Sequence, residues 1–333
     1  MGLSYAQGVL DIKRQVPDKM RAMKKLKIYD SRDFPAYLPK LNSLFDDLFA
    51  DGKGFRSALV QKVSGHLGNS ERLVHLLSQT IEFIHNASLL HDDLIDRSQL
   101  RRNKPAAWVK YTPEYAVLAG DYLLARVMVN LSSHGNVKLI QYTAEVISDL
   151  LEGEWIQDSL VRDFAITLDQ LDRVHNLKTG SLFKWCLRAP FIGAEIYDDE
   201  THAILEEAGT ILGLLFQRSD DLLDFDVRNY ENKAVFGDLK SGYLNSFGVF
   251  VTRELPADVK ERALKSQSLG EFKVAVTEAL FDQRVADFDK MNTTLIELYE
   301  HLLGRLEKLL KEPQRSLIED LRPLSKPIYW RKK

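Results

Sequence analysis

Two short acidic stretches, His91-Asp92-Asp93-Leu94-Ile95-Asp96 and Asp220-Asp221-Leu222-Leu223-Asp224, are the residues of this chain best suited to chemistry. In each, the first and last aspartates are four positions apart, which on a helix places them on one side, one turn from each other. Like charges so placed repel by roughly 0.2–0.5 kcal/mol per pair on an isolated helix. Both stretches also lie among Leu, Ile and Phe, where an ionised carboxylate without a partner is costly. A hard cation answers both problems. Carboxylate oxygens suit Mg2+, which keeps several waters, takes few protein ligands and bridges readily to phosphate oxygens. The competing reading of either stretch alone is an acidic helix end facing solvent; two copies in matching apolar settings favour the metal. Basic residues add a second clue. Lys53 and Arg56 lie in a Gly-flanked segment, Arg101 and Arg102 follow the first acidic stretch, and Lys233 and Lys240 follow the second. Arg offers a planar fork for phosphate oxygens and Lys a compact charge. Taken singly, each cluster reads as a solvated surface. Together with a metal they point to more than one diphosphate.

The elements that must position these groups are helical. Apolar spacing predicts helices over residues 41–50, 55–67, 71–96, 113–132, 137–159, 168–190 and 198–225, with one long or two stacked helices over 272–311. The first acidic stretch then closes the 71–96 helix and the second closes the 198–225 helix. Residues 97–105 and 228–242 read as polar loops, and no convincing period-2 strand run occurs. With 18 Gly and 10 Pro in 333 residues, turn punctuation is sparse, which favours long helices. No linker or low-complexity segment divides the chain. The expectation is one all-α domain over 1–333, opening on a basic, amphipathic segment over 1–30, with the two acidic helices facing one another across a bundle.

Composition limits the function. A net charge of −3 supplies no dominant basic field, so nucleic acid is not expected as a partner. The single cysteine, Cys186, excludes an internal disulfide framework and a Cys-rich metal site, and fits a reducing cytoplasm. No apolar run is long enough for a transmembrane helix, and the N-terminus lacks the apolar stretch of a signal peptide.

Five segments in order resemble the trans-isoprenyl diphosphate (polyprenyl) synthases. Residues 82–96, Glu-Phe-Ile-His-Asn-Ala-Ser-Leu-Leu-His-Asp-Asp-Leu-Ile-Asp, are similar to that family's first aspartate-rich motif and its approach helix. Arg101-Arg102-Asn103-Lys104-Pro105 resembles its RRGKP segment, and Leu118-Ala119-Gly120-Asp121 its AGD helix start. Lys178-Thr179-Gly180 resembles the KTG/A motif, and Phe216-Gln217-Arg218-Ser219-Asp220-Asp221-Leu222-Leu223-Asp224 the FQxxDDxxD second motif. The resemblance implies an isoprenoid synthase type I helical bundle around a central apolar cavity, and a homodimer.

It also implies a reaction and a set of roles. An allylic diphosphate loses its diphosphate with Mg2+ assistance, and the double bond of isopentenyl diphosphate attacks the resulting carbocation. Asp92, Asp96 and Asp220 are then the metal ligands, with Asp93, Asp221 and Asp224 supporting them. Arg101, Lys178, Lys233 and, in compensation, Lys240 hold the allylic diphosphate. Lys53, Arg56, His85 and Arg102 hold isopentenyl diphosphate; on its own spacing, His85 reads instead as a helix-face histidine satisfied by its neighbours. Thr179 and Gln217 present oxygen dipoles to the cation. Ala87 and Ser88, five and four positions before Asp92, take places where large aromatics stop chain growth in the family. Both are small, so an all-trans product of C20 or longer is expected, with Ile84 and Phe83 deeper along the same helix.

The sequence departs from the family pattern in three places. Residues 51–57, Asp-Gly-Lys-Gly-Phe-Arg-Ser, keep Lys53 and Arg56 of the GGKxxRP segment but lose a basic residue and the proline. Asn103 replaces a glycine. In the segment after the second motif, Tyr243 stands where a diphosphate-binding lysine is expected. That last change keeps open a catalytically weak partner subunit of a heteromeric prenyl synthase. A class I terpene cyclase is a third reading, disfavoured by the DDxxD form of the second motif.

Overall fold

The structure is a computed structural model that describes residues 32–49, 54–101, 104–225 and 235–330. Its elements are almost entirely helical: α1 (Pro39–Phe49), α2 (Phe55–His66), α3 (Glu71–Ile95), a two-residue strand pair β1 (Leu100–Arg101) and β2 (Lys104–Pro105), α4 (Ala107–Lys110), α5 (Pro113–His134), α6 (Val137–Ser159) and α7 (Leu168–His175). A π turn at Asn176–Gly180 leads into α8 (Ser181–Gly193) and then α9 (Asp199–Leu223). The chain continues through α10 (Gly237–Ser241), α11 (Ser246–Thr252), α12 (Ala257–Leu264), α13 (Leu269–Val276), α14 (Glu278–Leu309), α15 (Leu317–Leu321) and α16 (Ser325–Tyr329). Contacts divide the described residues into two compact units, one of 32–147 with 185–202, the other of 148–184 with 203–330. Among the described residues no helix is long and apolar enough to cross a membrane.

In the first unit, α3 starts where Ser70 accepts a hydrogen bond from the Leu73 amide at 3.3 Å, a side-chain N-cap. It packs on α2 and α5, and its Leu77, Ile81, Phe83, Ile84 and Ala87 are all buried. α5 opens with Thr112 as N-cap and Pro113 in its first turn, and closes at Gly135, whose φ of 87° is the left-handed conformation glycine tolerates. The predicted loop over 97–105 contains a short antiparallel ladder instead, pairing Leu100 with Pro105 and Arg101 with Lys104. Two residues per strand are too few to leave a period-2 signature.

In the second unit, Phe225 follows Asp224 directly and anchors the end of α9 in an aromatic cluster. Its ring meets Phe236, Phe247 and Phe272 edge to face, with centroids 5.5, 5.1 and 5.3 Å away. Such pairs contribute about 0.5–1.5 kcal/mol each beyond area burial. The 168–190 helix is in fact two helices joined by the π turn, and its second part runs on to Gly193 past Pro190. The 272–311 span resolves into α13 and α14, broken at Thr277. There φ is 72°, and the side chain accepts from the Leu280 amide at 3.4 Å to start the next helix.

Candidate active site

In the first unit, the C-terminal turn of α3 sorts its three aspartates by environment. Asp93 is buried, Asp92 half-buried and Asp96 exposed. Asp93 is gripped by Arg101, whose Nε donates to both carboxylate oxygens at 2.9 and 3.0 Å and whose Nη2 donates to Oδ1. The β1–β2 ladder therefore delivers Arg101 to the acidic turn. Burial alone would lower the Arg101 pKa, but the hydrogen bonds and charge of Asp93, with Asp92 and Asp96 behind, raise it. Arg101 is thus a fixed cation beside the aspartates. Asp92 and Asp96, four apart on one side of the helix end, are carboxylates whose hard oxygen donors suit a metal.

The AGD turn has a local reason. A Cβ at Gly120 would overlap the His91 ring, so glycine lets α5 approach α3 directly beside the motif. His91 Nε2 lies 3.5 Å from an Asp121 carboxylate oxygen. One turn and a half earlier on α3, His85 Nε2 is 3.2 Å from Arg56 Nη1, so two of the predicted isopentenyl diphosphate ligands meet. The start of α2 that carries Arg56 is pinned by Glu82, which accepts from the Ser57 amide at 3.2 Å. Sequence reasoning missed Glu82 as a positioning group, since its partner lies 25 residues away and leaves no spacing signal. Lys53, Arg102 and Lys233 lie outside the described residues.

In the second unit, Lys178 and Thr179 sit on the π turn, a feature that re-aims side chains and recurs at functional sites. Gly180 and Gly213 allow the backbones of the π turn and α9 to touch, for a Cβ on Gly213 would strike the Gly180 backbone. A polar chain runs from there. Thr179 Oγ1 donates to Gln217 Oε1 at 3.3 Å, Gln217 Nε2 donates to Asp221 Oδ1 at 3.0 Å, and Asp221 Oδ2 accepts from the Ser246 amide and hydroxyl at 3.0 and 2.6 Å. Both Asp221 oxygens are therefore taken by protein donors. Burial pushes its carboxyl up to about 6, opposed by the hydrogen bonds from Ser246 and Gln217. Asp224 is similarly occupied, accepting from the amides of Gly237 and Asp238 at 2.8 and 3.3 Å at the start of α10. Asp220 is half-buried. Lys178 pairs with Glu154.

Two further buried groups lie in this unit, His175, which carried no sequence signal, and Tyr243, which the sequence marked as a departure at a lysine position. His175, wholly buried, has Nε2 3.7 Å from Asp221 Oδ2, and burial pushes its imidazole down to about 3. The Tyr243 hydroxyl is buried with no hydrogen-bond partner, and burial, then Asp221, Asp238 and Glu154, raise its pKa. Lys240 is exposed on α10. Among the described residues no three His, Cys, Asp or Glu side chains form a ready metal cluster. A hard divalent ion that keeps its own waters needs only one or two protein carboxylates, and the Asp92–Asp96 pair meets that requirement.

The chain thus carries an aspartate pair at one helix end, an Arg56–His85 contact between α2 and α3, and a Thr179–Gln217 contact between the π turn and α9. The family model described as Polyprenyl synthetase matches residues 38–279. The chain is 32% identical over 294 residues to solanesyl-diphosphate synthase 2, chloroplastic, of Oryza sativa subsp. japonica, covering 85% of this chain and 71% of that protein. It is 30% identical over 312 residues to decaprenyl-diphosphate synthase of Dictyostelium discoideum, covering 92% and 66%. In fold it is similar to polyprenyl synthase of Caulobacter crescentus CB15, solved with calcium and isoprenyl diphosphate, with a TM-score of 0.71 at 24% identity over 99% of this chain and 96% of that one. The chain belongs to the polyprenyl synthetase family, the trans-isoprenyl diphosphate synthases, which use a divalent metal.

Proposed function

We propose that this chain is a prenyltransferase that condenses isopentenyl diphosphate with an allylic diphosphate, head to tail, to an all-trans polyprenyl diphosphate of C20 or longer. The observation that carries this reading is the Thr179–Gln217–Asp221 chain of hydrogen bonds, which orients two side-chain oxygens on the π turn and α9 as a fixed dipole for a cationic centre. Asp92 and Asp96 of the first unit and Asp220 of the second are the carboxylates we assign to metal binding, with Mg2+ as the ion. Bound there, it neutralises the diphosphate as a leaving group. Asp221 and Asp224, whose oxygens serve protein donors, hold the end of α9 in place, and Asp93 does the same for Arg101.

Arg56 and His85 take the diphosphate of isopentenyl diphosphate, joined by Lys53 and Arg102. Arg101, Lys178, Lys233 and Lys240 take the allylic diphosphate. Lys178 then exchanges Glu154 for phosphate oxygens, a charge-assisted contact of about 1.5–3 kcal/mol. Buried walls exclude the water that would quench the cation. We further assign a single catalytic domain, a homodimer and a cytoplasmic setting, the last suited to the buried thiol of Cys186. Incubating the purified chain with Mg2+, isopentenyl diphosphate and each allylic starter, then sizing the products, tests the proposal; no elongation from any starter defeats it. A second reading, a weak partner subunit of a heteromeric synthase, is favoured by the unpartnered Tyr243 hydroxyl at a lysine position. The same assay separates the two, because such a subunit elongates only when its partner is added.

A further inference from the structure

The segment just before α1 is fastened to the helix that carries the first aspartate motif. Asp33 is buried, at 3% exposure, although it is a short acidic residue near the start of the described chain. Its Oδ2 accepts from Gln79 Nε2 of α3 at 2.7 Å. Its Oδ1 accepts from Arg126 Nε and Nη2 of α5 at 3.2 and 3.0 Å, and from Asn130 Nδ2 at 3.0 Å. Tyr122 of α5 donates its hydroxyl to the Asp33 carbonyl at 2.8 Å, and Asn130 also donates to Gln79 Oε1 at 2.8 Å. The carboxylate thus bridges α3 and α5. Phe34, the next residue, is buried and meets Phe83 of α3 edge to face, with centroids 5.9 Å apart.

Phe83 is wholly buried and lies nine positions before Asp92, about 13 Å along the helix. Gln79 lies thirteen positions before it, about 20 Å along. Between Phe83 and the acidic turn, the side of the helix four and five positions before Asp92 carries the small Ala87 and Ser88, with Ile84 next to Phe83. A hydrocarbon tail that starts at the aspartates and runs down α3 therefore meets an aromatic pair, and behind it a buried, charged network. It cannot enter that network without stripping Asp33 and Arg126 of their partners, which is far more costly than displacing an apolar side chain. Asp33 and Phe34 both precede residue 38, where the family match begins.

We propose that Asp33-Phe34 is the stopper of the product channel: Phe34 with Phe83 forms its floor, and Asp33 is the positioning residue that clamps Phe34 there. Product length in this chain is then set by residues outside the matched family region as well as by α3 itself. The inference rests on the elongation reading above.

The test uses the full chain with Mg2+, isopentenyl diphosphate and farnesyl diphosphate, with product length as the readout. Phe34→Ala should lengthen the main product by one isoprene unit or more. Asp33→Asn, which keeps the shape but loses the charge facing Arg126, should broaden the length distribution, a change that a purely structural role would not produce. Phe34→Leu serves as the milder variant should Phe34→Ala not fold by circular dichroism. A folded, elongating Phe34→Ala or Phe34→Leu enzyme with the wild-type product distribution overturns the proposal. Calorimetry with saturated alkyl diphosphates of increasing length gives a second readout that needs no turnover. Affinity should stop rising at a definite tail length in wild type, and at a longer one in Phe34→Leu; the same breakpoint in both also overturns it. Wild-type protein that elongates no starter defeats the prenyltransferase reading instead, whatever the Phe34 variants do.

Discussion

At the scale of single residues, the proposed function assigns Asp92, Asp96 and Asp220 to the metal, whereas Asp93, Asp221 and Asp224 accept from protein donors. Asp93, Asp221 and Asp224 are engaged by Arg101, by Gln217 with Ser246, and by backbone amides at the start of α10. Replacing Asp92 or Asp220 by alanine should therefore abolish elongation while leaving the far-ultraviolet circular dichroism unchanged. The expected loss is several orders of magnitude, since leaving-group neutralisation supplies several kcal/mol; near-normal turnover in either variant would remove the mechanism. His175 gives a pH dependence. Its folded pKa of about 3 lies below the ordinary 6.5, so the unfolded chain binds the extra proton between those values. That contribution to stability is present above about pH 6.5 and is lost as pH falls toward 3, on the order of a few kcal/mol. His175→Gln should flatten the denaturation midpoint between pH 6.5 and 4, measured in urea at each pH. Tyr243→Lys should lower the KM for the allylic substrate by restoring a phosphate contact worth about 1.5–3 kcal/mol; unaltered kinetics would mean that another cation already fills the place. The motif aspartates were legible in the sequence because their spacing is local. Glu82, Ser246 and His175 were not, because each acts on a residue tens of positions away.

At the level of elements, amphipathic spacing located α3, α5 and α6 to within two residues at either end, because Ser70, Thr112 and Gly135 punctuate them with ordinary capping chemistry. What escaped was irregular backbone inside helical patterns. The π turn at Asn176–Gly180 leaves the apolar spacing almost undisturbed, so the sequence reads straight through it. Over 272–311 the two-helix alternative is the one observed, and what the pattern did not mark is the break itself, at the positive φ of Thr277. The short helices α11, α12, α15 and α16 are too brief to show a period. The element with the most direct consequence is α3, whose buried face above Phe83 is small at Ala87. Ala87→Phe should place a ring one turn above the existing aromatic floor. Overpacking of that kind blocks a growing tail rather than yielding to it, so the main product should shorten to about fifteen carbons. Product sizing with excess isopentenyl diphosphate checks this, and a wild-type enzyme that already stops at that length would show that the channel above Phe83 is not open.

For the whole molecule, the helical class followed from sparse glycine and proline and from long amphipathic spans, and the two-residue β1–β2 ladder is the one exception to it among the described residues. The grouping of the helices into two compact units was not legible, because α6, α8 and α9 run through the unit boundaries without any linker composition to mark them. Assembly is the remaining question at this scale, and α5 supplies a concrete handle. Leu118 is 66% exposed and Val129 47% exposed. Eleven positions apart, they lie three turns from one another on nearly the same side of the helix. Ala125, also exposed, lies between them on that side. An apolar stripe of this kind on a helix whose opposite face is buried against α3 suits an interface with a second copy of the chain. Leu118→Glu combined with Val129→Glu adds two desolvation-costly charges per protomer to that stripe, four across an isologous contact. In sedimentation equilibrium the wild type should have twice the chain mass, and the double variant should shift toward the single-chain mass in proportion to dilution. Both residues are solvent-facing in the single chain, so its helical content should not change. A wild-type protein that sediments as a single chain would rule out the homodimer, and a double variant that remains dimeric would move the interface off α5.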